Sequence, residues 1–361
     1  MNRAQAMAHR VAALGLASRG TDRPADLPVL DLGVQEYTPG SVQVALAART
    51  SADLADDRLI TVWAARGAPH VHRAADLPVL VKALWPVSDA DASARINSAQ
   101  ILDGVKLGLK AFEVTAAALR TAVTSSMPRG EASTKVSKIV PRELTYDCKP
   151  CGARHIAGNV WQHAGLAGGV QVESRGRDAT LAPIPHAPPQ PSANAGIGDL
   201  ITAYLRFLGP AGPAEVAKYL GSTATEIKKV WPSEGLTEVT VDGRKAWLPA
   251  DSPQADGPMA GVRFLPPMDP LLQARDRDLL VPERAHQKEI WRPLGNPGAL
   301  LVDGEIAGVW RAKVAGRKRV DLTVTPFGTL SAKARKAVEA EADVVARARD
   351  VASAAVLYPR A

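Results

Sequence analysis

Cysteine is nearly absent from the 361-residue chain: Cys148 and Cys151 are the only two, which excludes a disulfide-built secreted scaffold. No apolar run approaches the ~20 residues that a bilayer-spanning helix needs. Residues 11–17, behind Arg3, His9 and Arg10, loosely imitate a leader peptide. Met7, Val11, Leu14 and Leu16 fit an amphipathic helix as well, so the expected location is the cytoplasm. Also missing are a Walker phosphate loop, a Gly-rich dinucleotide motif behind a strand and a Ser-His-Asp elbow, so nucleotide-driven and acyl-transfer chemistry drop out. Acidic residues are in deficit: 37 Asp+Glu against 44 Lys+Arg leave +7, which favours a polyanionic partner.

What is present suits a multi-module globular protein. At roughly 100–200 residues per domain the length allows two or three modules, large enough to fold without disulfides or a structural metal. The clearest pattern begins at Gly198. Leu200, Ile201, Tyr204, Leu205 and Leu208 recur at helical spacing until Gly209-Pro210 stops the run. Pro213 opens a second helix striped by Val216, Tyr219 and Leu220 and ended by Gly221. Ser222 or Thr223 caps a third, with Ile227, Val230 and Trp231 inward, and Pro232 and Gly235 end it. Two β-prone runs over 236–248 then meet at Asp242-Gly243, a two-residue hairpin signal. Three helices and a hairpin describe a winged helix, with residues 223–231 in the recognition-helix position.

The same order recurs twice upstream without a direct sequence repeat. Helices are expected over 4–19, 26–35 and 39–49, followed by a hairpin of 59–63 and 68–72 turning near Arg66-Gly67. Further helices are expected over 112–123, 130–140 and 155–167, followed by a hairpin of 170–173 and 179–182 around Arg175-Gly-Arg177. Residues 182–196 are Pro-rich and poor in large apolar groups, which marks a linker, and 250–260 look like a second break. Beyond lie strand-like runs at 262–272, 299–302, 306–310 and 320–324, a hairpin turn at Asp303-Gly304 and an Ala-rich charged helix over 331–351. The expected fold class is α+β. Its expected units are winged helices at 1–85, 86–182 and 197–250, a linker at 183–196 and a C-terminal β-rich α+β module at 257–361.

Several separated segments resemble one known family. They are Gly33-Val-Gln35 before a helix ending at Arg49; Trp63-Ala-Ala-Arg-Gly-Ala-Pro-His70; Phe264-Leu-Pro-Pro-Met-Asp-Pro-Leu-Leu-Gln-Ala-Arg-Asp-Arg277; and Val302-Asp-Gly-Glu-Ile-Ala-Gly-Val-Trp310. On these residues the chain is similar, over nearly its whole length, to the AlkZ/YcaQ-type winged-helix DNA glycosylases. The resemblance implies tandem winged helices in a C-shaped arrangement around a DNA-sized channel, nucleoid association, and excision of alkylated or cross-linked bases. The partner it implies is duplex DNA, including damaged duplex, bound by a monomer; no membrane, cofactor or metal is called for.

The family's catalytic motif is Gln-x-Gln or Gln-x-Asp, and the matching positions read Gln35-Glu36-Tyr37. Gln35 carries over; Tyr37 does not. Base excision builds positive charge on the deoxyribose, so an amide or carboxylate oxygen near C1′ supplies what the transition state lacks. A phenol offers a weaker dipole and is a poor water-activating base. Glu36 serves only if the loop is re-registered, and the bland alternative is a segment that merely joins two helices. His70 and His72 flank Val71 and share one face of a strand, where they either meet DNA or act as hydrogen-bonded structural histidines.

The expected phosphate-contacting cations are Arg66 beside that strand, Lys228 and Lys229 on the third helix, Arg244 and Lys245 on its wing, and the hairpin tip Arg311, Lys313, Arg317, Lys318 and Arg319. Solvated surface charge is the alternative for each. Cys148-Lys-Pro-Cys151, with His155 and His163 downstream, admits three readings: a zinc site, a redox pair or a structural turn. Asp269, Asp276 and Asp278 read as turn caps and ion pairs. Two other function classes stay open: a winged-helix regulator or lesion-shielding factor without chemistry, and a small-molecule-sensing winged-helix protein.

Overall fold

A computed structural model describes residues 1–175, 178–252, 259–315 and 318–359. The chain divides into two compact units, and both are discontinuous. The first comprises Met1–Asp57, Thr202–Gly212 and Glu234–Ala361; the second comprises Arg58–Ile201 and Pro213–Ser233. This division cuts across the serial boundaries expected from the sequence. Among the described residues no helix is long and apolar enough to cross a membrane.

The first unit is built on a five-stranded sheet in the order Val262–Leu265, Gly298–Val302, Glu305–Ala315, Arg319–Pro326, Ser353–Leu357. The first four strands form an antiparallel meander, and the last pairs parallel after the helix Ala332–Ala348. The Asp303-Gly304 turn has both residues at positive φ (49° and 86°), the combination a two-residue type I′ hairpin requires. Asp242-Gly243 repeats it at 47° and 81° in the hairpin Leu236–Val241 and Arg244–Pro249. Apolar alternation fills the core: Val320, Leu322 and Val324 face inward with Phe264, Leu300 and Trp310. The Trp310 indole N–H donates to the Leu265 carbonyl at 2.8 Å. Val338, Ala342 and Val345 of the long helix share this core with Val44 and Ala47 of the short helix Ser41–Ala47.

The second unit carries an antiparallel sheet in the order Pro69–Arg73, Leu59–Trp63, Val170–Arg175, Asp178–Pro183, Met127–Pro128. Two expected hairpins therefore join, through Val62 opposite Gln171. The first turns at Arg66-Gly67, both at positive φ (59° and 66°). Of the Arg175-Gly-Arg177 turn, Gly176 and Arg177 lie outside the described residues. The core beneath is set by Phe112, Ala116 and Leu119 of the helix Leu109–Ala122, Val160 and Trp161 of Gly158–His163, and Val136 of Arg129–Ser137.

Local expectations differ from the structure where proline or short alternation misled them. Residues 26–35 form no α-helix but two 3₁₀ turns, Pro24–Asp26 and Pro28–Asp31, because each proline suits only a first turn and blocks continuation. The helix expected over 155–167 is only Gly158–His163. Before it, Thr145–Cys148 and Ala153–Ile156 form an unanticipated hairpin. The helix expected over 4–19 stops at Ala13, before Gly15 at φ 67°. Helices Leu77–Leu84 and Asp89–Ile96 were not anticipated. Beyond Pro183, where the strand Asp178–Pro183 ends, the Pro-rich stretch holds no helix or strand before Ile197, yet it is tied down: Arg120 donates to the Pro188 carbonyl, and Asn194 to the carbonyls of Ala83 and Trp85. Residues 253–258 of the second expected break lie outside the described residues.

His163 gives the second unit a pH response. Its ring, 6.2 Å from that of Phe112, keeps only partial solvent access; desolvation and then the positive charges of Arg95 and Arg66 push it down to about 3. The unfolded chain takes up a proton near pH 6.5 and the native one does not, so this contribution is whole above pH 6.5 and is lost as pH falls toward 3. The ceiling is about 1.4 kcal/mol per pH unit, or about 2 kcal/mol by pH 5. Thermal unfolding from pH 7.5 to 5 is expected to show this decline, and His163→Gln to flatten it. Parallel curves for the two proteins would remove His163 as the cause.

Candidate active site and nucleic-acid interface

The Gln35–Tyr37 segment lies in the first unit. Gln35 ends the short strand Val34–Gln35 and is buried. Five residues after Gln35 the chain turns through Gly40, at φ 84°, into the helix Ser41–Ala47, and the exposed amides of that helix start decide where Glu36 goes. Its carboxylate accepts from the N–H of Gly40 (2.9 Å) and of Val42 (3.1 Å), with the Ser41 hydroxyl as a further partner. Burial raises the Glu36 pKa above the ordinary carboxylate range; those hydrogen bonds and the nearby Arg349 charge oppose the rise without cancelling it. Ser41 Oγ in turn accepts from the N–H of Tyr37 (2.9 Å) and Thr38 (3.3 Å). The Tyr37 hydroxyl, half-buried, accepts from the Asn296 N–H at 3.3 Å. Glu36 is thus committed to closing the loop, and Tyr37 is anchored to the segment before Gly298–Val302.

Arg49, at the far end of the following helix, is buried. It donates from Nε to the Leu14 carbonyl (2.9 Å), from Nη1 to that of Ala45 (2.7 Å), and from both Nη atoms to Asp269 (2.9 and 3.0 Å). Asp269 also accepts from the Leu271 N–H. Two segments that carried the family resemblance, 220 residues apart, therefore meet as one buried bidentate pair. Asp276 forms a second, with Arg10, at 2.9 and 2.6 Å, and Asp278 accepts from Gln287. Asp269 is thus a turn cap and ion pair and Asp276 an ion pair, as expected, whereas Asp278 meets an amide.

In the second unit His70 and His72 do share a face, with ring centres 6.2 Å apart, but both are buried. His70 Nδ1 lies 2.9 Å from the Ala68 carbonyl, which suits the structural reading rather than contact with a duplex. Arg66 donates to the Tyr219 carbonyl at 2.5 Å and lies over the Tyr219 ring. Lys228 and Lys229, near the end of Ala224–Lys229, are exposed, Lys229 paired with Glu226 at 2.6 Å. Sequence reading missed Arg129, which follows Pro128 with no local signal. Its guanidinium lies 5.8 and 5.6 Å from the rings of Trp63 and Trp161.

In the first unit Arg244 and Lys245 are exposed on the hairpin, Lys245 paired with Glu238 and over the Trp247 ring. Arg311, Lys313, Lys318 and Arg319 are exposed on the long hairpin of the sheet. Arg311 donates to the Gly295 carbonyl at 2.7 Å and Arg319 pairs with Asp321 at 2.9 Å. Arg317 lies outside the described residues.

The sequence from residue 29 to 348 matches the model of the DNA glycosylase AlkZ-like family. The chain belongs to the AlkZ-like DNA glycosylase family. That range takes in Gln35–Tyr37, the Arg49–Asp269 pair and the basic hairpins. Within the AlkZ-like family, an interstrand DNA cross-link repair glycosylase of Streptomyces sahachiroi is 34% identical over 173 residues, covering 45% of this chain and 45% of the relative. The chain thus spans less than half the length of that curated relative in the match. The solved structure of Streptomyces sahachiroi DNA glycosylase AlkZ superposes with a TM-score of 0.74 over 99% of this chain and 100% of that one, at 22% identity. The α+β fold is therefore the AlkZ fold.

Proposed function

We propose that this protein is a monofunctional DNA glycosylase acting as a cytoplasmic monomer on duplex DNA that carries alkylated or cross-linked purines. The observation that supports it most is the position of Gln35, a buried amide where the family's motif begins, next to a loop whose carboxylate and phenol are already engaged. In the reaction the C1′–N bond breaks, its electron pair leaving with the base, and a water oxygen bonds to C1′ as the water's proton passes to solvent. The amide oxygen of Gln35 orients that water and faces the positive charge growing on the sugar. Purines alkylated at N3 or N7 are cationic and leave as neutral bases, so this chemistry asks little of a general acid. Tandem winged helices with exposed Lys228, Lys229, Arg244, Lys245, Lys313 and Lys318 on phosphates complete the reading; Arg66, Arg311 and Arg319 are engaged with the Tyr219 carbonyl, the Gly295 carbonyl and Asp321.

Incubation with a methylated duplex is expected to produce abasic sites well above the spontaneous rate, read as alkali-labile breaks. Release no faster than without enzyme would overturn the proposal. Affinity for duplex is expected to fall with salt at a log–log slope of about −0.9 per neutralised phosphate, and a Lys313→Ala/Lys318→Ala variant to flatten that slope by about two. An unchanged slope would remove this hairpin from the interface.

A second reading, a lesion-shielding binder without chemistry, is favoured by one feature: Glu36 caps a helix and Tyr37 replaces the family's Gln or Asp. Tight duplex binding without base release would decide for it.

A further inference from the structure

The hairpin that sequence reading did not anticipate carries a second chemistry. Cys148 ends the strand Thr145–Cys148, the 3₁₀ turn Lys149–Cys151 follows, and Gly152, at φ 62°, sends the chain back into Ala153–Ile156. Nothing lies within 4 Å of a Cβ placed on Gly152, so backbone conformation and not crowding calls for glycine there. The register pairs Cys148 with Ala153, Asp147 with Arg154 and Tyr146 with His155. Side chains alternate across a strand pair, so Cys148, Tyr146 and His155 share one face while Asp147 and Arg154 occupy the other. The second face is closed by Arg154, which donates to Asp147 (2.9 Å) and to Thr145 Oγ1 (2.6 Å). On the first face the turn folds Cys151 back, and one ligand atom each from Cys148, Cys151 and His155 lies within 4.8 Å of the others.

We infer that Cys148, Cys151 and His155 form a zinc site whose fourth position is open to water. Two thiolates and an imidazole are the soft and borderline donors that zinc prefers, and their two negative charges match the ion's. With Zn–S near 2.3 Å and Zn–N near 2.0–2.1 Å, tetrahedral ligation needs donors about 3.5–3.8 Å apart, within reach of small side-chain rotations from the observed cluster. Cys151 is exposed and the other two are half-buried, so the ion enters from solvent and a water completes its shell. His163, which the sequence also offered as a ligand, is not in this cluster; its ring lies near that of Phe112. The site stiffens the entry to the helix Gly158–His163, which follows His155 by three residues. It acts independently of base excision.

The test uses the full chain, purified without chelator, reduced and free of an affinity tag that binds metal. Elemental analysis is expected to give about one zinc per chain. Replacement by Co²⁺ is expected to give the intense visible bands of a tetrahedral ion and a near-ultraviolet thiolate charge-transfer band. Cys151→Ser is expected to abolish the charge-transfer band or reduce it sharply, and His155→Ala to weaken metal affinity at least tenfold, with circular dichroism confirming that each variant folds. Reduced wild-type protein that gives no cobalt bands would overturn the proposal even if a variant misfolds. So would a His155→Ala variant that binds metal as tightly as wild type, or protein that holds Cys148 and Cys151 as a disulfide and takes up no metal after reduction.

Discussion

Arg49→Ala is expected to cost about 3–5 kcal/mol of stability, the cost of leaving a buried carboxylate without its cation. The Asp269 side chain is fully buried, that of Arg49 nearly so, and the guanidinium also satisfies the Leu14 and Ala45 carbonyls. One truncation therefore orphans two carbonyls and a charge. Urea unfolding followed by tryptophan fluorescence measures the loss, and a change below about 1 kcal/mol would show that the pair is dispensable. An Arg49→Met/Asp269→Asn double variant, which keeps an acceptor for the Leu271 N–H, is expected to recover at least half of it. Excision should fall along with stability, although neither residue reaches DNA, because Arg49 holds the end of the helix that the Gln35–Tyr37 loop begins.

Gln35→Ala is expected to lower the single-turnover rate of base release by about 10²–10³-fold, the range seen when a preorganised polar group is removed from a developing charge. Duplex affinity should stay within about twofold, since a buried amide makes no phosphate contact. Tyr37→Phe is the control. Its hydroxyl accepts the Asn296 N–H, so its loss should slow release by less than about tenfold and lower stability slightly. If the two variants exchanged effects, the phenol and not the amide would be the group at C1′.

Where the sequence carried local chemistry, the fold was legible. Asp242-Gly243 and Asp303-Gly304 announce their hairpins because few residue pairs adopt two positive φ values in succession. The helices Pro213–Leu220 and Ala224–Lys229 begin at their expected proline and threonine signals, Thr223 accepting from the Glu226 N–H. Short strands with few large apolar residues were not legible: Thr145–Cys148 and Ala153–Ile156 are each only four residues long, and Ser353–Leu357 is five. The motif Gln35-Glu36-Tyr37 was found only through family resemblance. That Glu36 is spent on a helix start was hidden, because the amides it caps are those of Gly40 and Val42, four and six residues on. The Arg49–Asp269 pair was hidden for the plainest reason: no periodicity spans 220 residues.

The first unit's core has a consequence for how the chain is made. Val44 and Ala47 pack with Val338, Ala342 and Val345, so the candidate catalytic loop leads into a helix whose partners are synthesised some 300 residues later. At about 5–20 residues per second, ribosomes deliver the stretch from Arg58 to Ile201 first, and that stretch supplies the large apolar cluster of the second unit, which Val216, Leu220 and Ile227 join later. The residues around Gln35 must wait for the last helix, roughly 15–60 s after their own synthesis, and only about the last 7–30 s of that wait follow the synthesis of Ile201. Any premature stop ahead of Ala332 would leave the candidate catalytic loop without the support of that helix.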